Sequence, residues 1–516
     1  MGDRGPRRRR GSMSTNRRDF IRFVVAGAVA AGCPIPLRAV PAEAKTEVDG
    51  EHNEICHQVR DGHAFAKPAS SAKYDVVIVG GGVSGMTAAY LLRDKNFLLL
   101  EKEPHWGGNS YMEEYNGVGY ATGGAFLELG ERASEFSKSL GLEQLPIENW
   151  DGMILNGKFV ADCWGDGIDK IPYSASVRES FKKWREEILK IDVLSRAAEL
   201  DALPLTHFTK GYPQELTEWW DNYGPSNWGA KSAETSALIV LYEMQQIAGK
   251  TRKDRRCTLP GGIGALNRRL SEVLTEKHKE HMQLSATTVA VAQKKDGVDV
   301  TYIVNGEPKT VSAKAVIMAT PKFITARLVE SMPAAQKAAI AKMHYVPYCV
   351  VNLMYDKPVF NSGYDTWCPG NRFTDFIVAD WTVRNQPGYK QKYNIITCYT
   401  PLEEEERVLL LTEDGAKSVA EDVLRDFKKL LPETNADPLE VHIYRRGHPM
   451  YKSLPGNFTK VQPQVRIPME RIAFANTDSE GPVSATGEGI KAAHRAVNEV
   501  NKMLAGISAK SASANG

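Results

Sequence analysis

The stretch YDVVIVGGGVSGMTAAYLL, Tyr74 to Leu92, sets a short apolar run against a cluster of glycines and then a helical pattern. The β-branched run reads as a strand buried on both faces. Gly80-x-Gly82-x-x-Gly85 follows at once. In such a turn Gly80 permits the tight reversal, Gly82 lets the backbone approach a pyrophosphate, and Gly85 allows close helix–strand packing. Val83 and Ser84 open the helix, whose free N–H groups and positive dipole end attract phosphate. A second strand, FLLLEKE, carries Glu101 sixteen residues past Gly85. An acidic side chain there accepts hydrogen bonds from ribose hydroxyls and repels a 2′-phosphate. The pattern predicts an α/β fold with a Rossmann-like dinucleotide-binding domain.

Beyond Glu101 and Lys102 comes EPHWGGNS, with Gly107 and Gly108 followed by Asn109. An acidic residue followed within a turn by Gly-Gly resembles the FAD-binding flavoprotein superfamily of amine oxidases, phytoene desaturases and protoporphyrinogen oxidase. TLPGGIGALNRRLSEVL, Thr258 to Leu274, is similar to the glycine turn and helix that re-enter the FAD domain there. The segment from Met282 to Pro321 reads as strand, strand, turn, strand, with turn signals at Asp296-Gly297 and Asn305-Gly306. RIAFANTDSEG, followed by a helix starting near Thr486 or Gly487, resembles the closing motif. The resemblance implies FAD, held by Gly80, Gly82, Val83, Ser84, Gly85, Glu101, Lys102, Gly107, Gly108, Asn109, Val289, Asp478 and Gly487. It puts the Val289 backbone at adenine, Asp478 at the ribityl or diphosphate region, and the last helix N-terminus at the flavin N1–C2=O edge. No flavin-linking cysteine stands near the closing motif, which favours non-covalent FAD.

YRRGHPMYKSLPGN before that motif looks closest to the branch holding bacterial spermidine dehydrogenase. The implied reaction is hydride transfer from an amine or polyamine-like substrate to flavin N5, with electrons passed on to oxygen or a respiratory carrier. His448, Tyr451 and His344 are the candidate catalytic residues; a histidine titrates near neutral pH and a tyrosine can wall the pocket. Trp219, Trp220 and Trp381 are candidate cation–π walls, and also ordinary core residues. Three departures from the amine-oxidase pattern stand out: Asn109 in place of arginine, Thr122 in place of an acidic residue, and no lysine in Tyr345–Phe360 before Lys357. A C–C desaturase of phytoene-desaturase type and a non-catalytic flavin relay are the rival readings.

The remaining sequence bounds these expectations. The first 44 residues hold nine arginines against Asp3, Asp19 and Glu43, and the rest of the chain has 56 basic and 60 acidic side chains. That balance points away from nucleic acid. Arg17-Arg18 before FVVAGAVAAG, and AEA at Ala42–Ala44, resemble a twin-arginine signal peptide that engages the Tat machinery, with Met13 as an internal start. The expected location is the bacterial periplasm, with lipid anchoring at Cys33 as the rival. The seven cysteines form no CxxC or CxxCH, so no metal ligand set is assigned, and haem at Cys56-His57 is the weaker alternative. The predicted division is a signal at 1–44, a linker at 45–72, a discontinuous FAD domain at 73–150, 256–330 and 466–505, and a disordered tail at 506–516. The inserted mixed α+β substrate domain occupies 151–255, which is helical, and 331–465.

Overall fold

The computed structural model describes residues 44–147, 152–247, 255–384, 386–434, 436–481 and 483–514. The predicted signal up to Glu43, with Arg17, Arg18 and Cys33, lies outside the described residues. In chain order, the elements that position the site are β1 (Lys45–Gly50), α1 (Glu54–Arg60), β2 (Lys73–Val79), α2 (Val83–Leu91), β3 (Phe97–Leu100), α3 (Gln214–Trp228) and α4 (Gly264–His278). They continue with β4 (Ala286–Gln293), β5 (Val298–Val304), β6 (Glu307–Met318), β7 (Tyr345–Tyr355), β8 (Asp365–Trp367), β9 (Asp375–Val378) and β10 (Asn394–Pro401). Last come α5 (Glu413–Leu430), β11 (Glu440–Tyr451), β12 (Ile472–Phe474) and α6 (Thr486–Ala514).

One sheet runs Met282–Gln283, β3, β2, β6, β5, β4, with β12 also on β6. The long strand β6 changes partners along its length. Its first half pairs antiparallel with β5, while Val316–Met318 lies parallel between β2 and β12. Val76, Val77 and Ile78 are fully buried, as a central parallel strand with both faces covered requires. On one face Met86, Ala88 and Ala89 of α2 pack with Leu266 and Leu270 of α4 and Ile490 and Ala493 of α6. Small residues dominate α2 because its start is pressed against the turn that precedes it.

The second sheet has the order β1, β11, β7, β10, β9, β8, then Gly152–Leu155 and Lys158–Val160. Alternation sorts its side chains between two faces. Cys349, Val351, Leu353, Phe376, Val378, Ile396 and Cys398 pack on α5 through Val419, Val423 and Phe427. Thr412 caps α5 by accepting a hydrogen bond from the Gly415 N–H at 3.1 Å. Tyr348, Val350, Trp367, Ile377 and Tyr399 face the other way, toward the helical cap containing α3.

Three predicted segments differ from the structure. Residues 45–72 are not a plain linker: β1 pairs in parallel with Lys-to-Arg register Lys45↔Glu440 through Gly50↔Arg445, and α1 follows. Without β1, β11 would leave a row of unpaired backbone groups at the sheet edge. Among the described residues of the 151–255 segment, the opening hairpin extends the second sheet and helices follow it. Residues 506–514 of the predicted disordered tail are the end of α6, which runs to Ala514. Its alanines are strong helix formers, and extending an existing helix needs no new nucleus.

A Cβ built on Gly85 would lie 1.7 Å from the Gly80 carbonyl oxygen. Gly85→Ala is therefore expected to open the turn, giving protein with reduced flavin content and a thermal midpoint several degrees lower. Full flavin loading with an unshifted melt would contradict this packing argument.

Candidate active site

The strand–turn–helix from β2 to α2 forms one wall of a cavity of about 700 Å³ that continues through to the second sheet. Gly80 has φ +110°, where a side chain would be strained, and its Cβ would meet the Ala319 carbonyl oxygen at 2.8 Å. Gly82 and Gly107 form a backbone bridge, and a Cβ on Gly108 would stand 3.0 Å from the Gly82 Cα. Both Gly-Gly residues also have positive φ. Two backbone segments thus meet with no side chain between them. Gly82 caps α2 without a side-chain hydrogen bond, which leaves its first N–H groups for a phosphate. Val83, Ser84, Asn109 and Gly487 line the same cavity, the last at the start of α6. Asn109 is tied down, its Nδ2 donating to the Pro449 carbonyl at 3.0 Å.

Glu101 ends β3 inside the cavity wall, accepting from the Gly81 N–H at 2.5 Å and the Glu103 N–H at 2.9 Å. Burial pushes its carboxyl up, against the opposing charge of Lys102. Burial works to lower the Lys102 ammonium, but Glu51, Glu103 and Glu101 together raise it. Val289 does not itself line the cavity. It is skipped in the β4–β5 register, which passes from Thr288↔Tyr302 to Ala290↔Thr301. A bulge of this kind frees backbone groups from the ladder. Ala286, Thr287 and Thr288 supply the lining there. The hydroxyls of Thr288 and Ser110 are buried at the cavity without a hydrogen-bond partner. Glycine cradle, uncapped helix start, acidic strand end and two orphaned hydroxyls together fit an FAD. The helix α1 adds Cys56, His57 and Arg60 to this wall. Burial raises the Cys56 thiol and lowers the His57 imidazole.

Asp478 lines the cavity, yet its carboxylate is fully used by the protein. One oxygen meets Lys322 Nζ at 2.9 Å, and the other accepts from the Lys322 N–H and the Tyr345 hydroxyl, both at 2.7 Å. Lys322 and Asp478 are both buried. Burial pulls the Lys322 ammonium down while Asp478 opposes that shift. Asp478 is thus a strut behind the cofactor cradle, whereas the resemblance had it bonding the cofactor directly.

The three predicted catalytic residues separate. His344 precedes β7 and turns outward; its side chain is 53% exposed and 3.5 Å from Glu404. It does not line the cavity. His448 does, packed on Phe323 with ring centroids 4.8 Å apart. Burial, reinforced by Arg407 and Arg327, lowers its imidazole to about 4, so it is neutral at pH 7. Tyr451 also lines the cavity, but its hydroxyl donates to the Gly481 carbonyl at 3.0 Å and accepts from Gln462 at 3.1 Å. Burial holds it well above the usual tyrosine range, so it acts as a neutral wall. Trp219 and Trp220 sit in the aromatic core with Trp164 and Trp184, and Trp381 packs on Tyr364.

Sequence reading missed the chamber at the far end. Tyr348, Tyr399, Trp228 and Trp367 line it, together with Asp365, Asp375 and Glu243. Tyr348 shares a 2.8 Å hydrogen bond with Ser226, and Tyr399 donates to the Gly123 carbonyl at 2.6 Å. Burial, then the charge of Asp375, push the Asp365 carboxyl well above the ordinary range. The alternation in YVPYCVVNLMY was the available signal for Tyr348. Nothing local marked the two aspartates.

Comparison with known proteins adds a family match described as flavin containing amine oxidoreductase over residues 83–501. The chain is 22% identical to oxidoreductase PigB of a Serratia species, covering 81% of this chain and 73% of that protein. It is 24% identical to the flavin-containing amine oxidase B of Homo sapiens, covering 83% and 86%. Among solved structures, putrescine oxidase bound to putrescine superposes with a TM-score of 0.65 at 16% identity, over 83% of this chain and 99% of that one. Cyclohexylamine oxidase from Brevibacterium oxydans gives 0.64 at 18% identity, over 84% and 99%. At these identities the structural likeness is one of fold.

Asp478→Asn would strand a buried ammonium, and breaking a buried pair from one side costs roughly 3–5 kcal/mol. Thermal melting of the holoprotein should show that loss; a melt unchanged within error would mean that the strut carries no weight. For His448 the unfolded chain takes up a proton near 6.5 and the folded chain only near 4. Stability therefore falls as pH drops through that window and is unaffected above it. His448→Gln should flatten the decline in thermal midpoint between pH 6.5 and 4.

Proposed function

Because the chain belongs to the flavin-containing amine oxidoreductase family, we propose that it oxidises the C–N bond of an amine, with the substrate held in the Tyr348–Tyr399–Trp228–Trp367 chamber. It is an FAD-dependent oxidoreductase of amine-oxidase type. FAD supplies the hydride acceptor of the reaction. The observation that carries the reading is the single cavity that runs from the glycine cradle to the aromatic chamber.

The chain's own part is binding and exclusion of water. The glycine turn and Gly107–Gly108 admit the dinucleotide backbone, and Glu101 offers an acceptor at the ribose. The aromatic rings attract an incoming ammonium through their faces. Once inside, desolvation against the aromatic rings favours the neutral form of the nitrogen that they surround, which is the form that gives up hydride. His448 is neutral and Tyr451 protonated at pH 7, so neither introduces a charge that would compete. An apolar C–C desaturation substrate fits less well, since it would leave Asp365 and Asp375 facing hydrocarbon.

The reading extends to cell location. Arg17-Arg18 and the apolar run after it support export of the folded, cofactor-loaded protein, with electrons passed in the periplasm to oxygen or a redox carrier. An anaerobic visible spectrum tests the chemistry directly. Addition of an amine substrate is expected to bleach the flavin band; a band that persists through a panel of primary, secondary and polyamines would sink the proposal.

A further inference from the structure

Two carboxyl groups in the chamber are not accounted for by hydride transfer. Asp365 and Asp375 stand on neighbouring antiparallel strands, where the register sets Asp365 opposite Ile377 and Trp367 opposite Asp375. This places both acids on the cavity face of the sheet, diagonal to one another across β8 and β9. They are 2% and 4% exposed. Asp375 accepts from the Thr374 hydroxyl at 2.5 Å. Asp365 Oδ1 is buried at the cavity and has no hydrogen-bond partner. An acceptor left open at this depth is costly without a ligand to meet it.

The Arg256 guanidinium acts on Asp365, but it is already engaged by Glu128 at 3.0 Å and Glu243 at 3.3 Å, with the Phe126 ring 3.7 Å away. Glu243 in turn accepts from Trp228 Nε1 at 3.1 Å. Asp365, Asp375 and Glu243 thus share this part of the cavity lining with Trp228 and Trp367.

A carboxylate stabilises the charged form of any amine beside it. The nitrogen whose neighbouring carbon loses hydride must be neutral. The acid pair is therefore suited to a nitrogen that stays charged throughout and is not the one oxidised. We propose that Asp365 and Asp375 bind a second, cationic nitrogen of the substrate, making them the determinants that select diamines and polyamines over monoamines. This rests on the amine reading given above.

Isothermal titration of the FAD-loaded protein with 1,4-diaminobutane and 1-aminobutane tests it without requiring turnover. The wild type should bind the diamine roughly 30-fold more tightly or better, as expected for a buried charge pair. Asp365→Asn and Asp375→Asn should each erase most of that preference, weakening diamine binding far more than 1-aminobutane binding. Equal binding of the two amines by the wild type, or a preference retained in both variants, would overturn the proposal. Comparing 1,4-diaminobutane with 4-aminobutan-1-ol on the wild type keeps the question decidable if a variant does not fold. The two levels of inference separate cleanly. If monoamines bleach the flavin as readily as diamines and bind as tightly, amine oxidation stands and the acid-pair role falls. If no amine bleaches it but the diamine preference depends on Asp365, the cation site stands and the oxidation reading falls.

Discussion

Asp478 joins three parts of the chain that have no sequence proximity. Its carboxylate takes the Lys322 ammonium and N–H just after β6, and the Tyr345 hydroxyl at the first residue of β7. Asp478 itself sits in the turn between β12 and α6. The cofactor-side sheet, the chamber-side sheet and the last helix are therefore registered through one buried group. A buried ion pair adds little net stability over a well-packed apolar cluster, because both charges must leave water. What it does impose is geometry: pulling the segments apart would leave two buried charges without each other. The cavity between the sheets has its shape because this contact sets where the sheets meet.

The second sheet uses strand alternation to serve two environments. Odd-numbered residues of β7, Cys349, Val351 and Leu353, are spent on α5 and make an ordinary core. Even-numbered ones, Tyr348 and Val350, are spent on the cavity wall. The same division on β8 and β9 puts Asp365, Trp367 and Asp375 on the cavity side and Phe376 on the core side. A chemically demanding surface is thus carried by strands whose other face is anchored.

The cofactor half was legible in the sequence because its constraints are local. Gly80, Gly107 and Gly108 each need a positive φ, a demand of the residue's own backbone that its identity displays in the sequence, even though the nearest neighbours of Gly80 and Gly108 are the distant Ala319 and Gly82. The chamber was not legible, because Asp365 and Asp375 meet only through long-range strand pairing that no short window contains. The two histidines show the same limit. His344 and His448 both lie beside β7 or β11, but which one faces the cavity depends on sheet register, and His344 falls just before pairing begins at Tyr345. At Val289 the bulge is a property of pairing with β5 and has no local sequence mark. The segment at 45–72 was misread because its role lies in covering the edge of β11, a strand nearly four hundred residues away.

That edge strand also bears on how the cavity can be opened. β1 bonds to a single neighbour, β11, and leads directly into α1, which supplies Cys56, His57 and Arg60 to the cofactor wall. Separating the two sheets would expose the apolar interior and break the Asp478 contact. Separating β1 from β11 would break one ladder together with the side-chain ties of Asp49 to Tyr111, Glu51 to the Gly447 N–H and His52 to Glu103. The nucleotide end of the cleft is thus walled on one side by a segment that is held at a sheet edge and supplied by the first described residues of the fold.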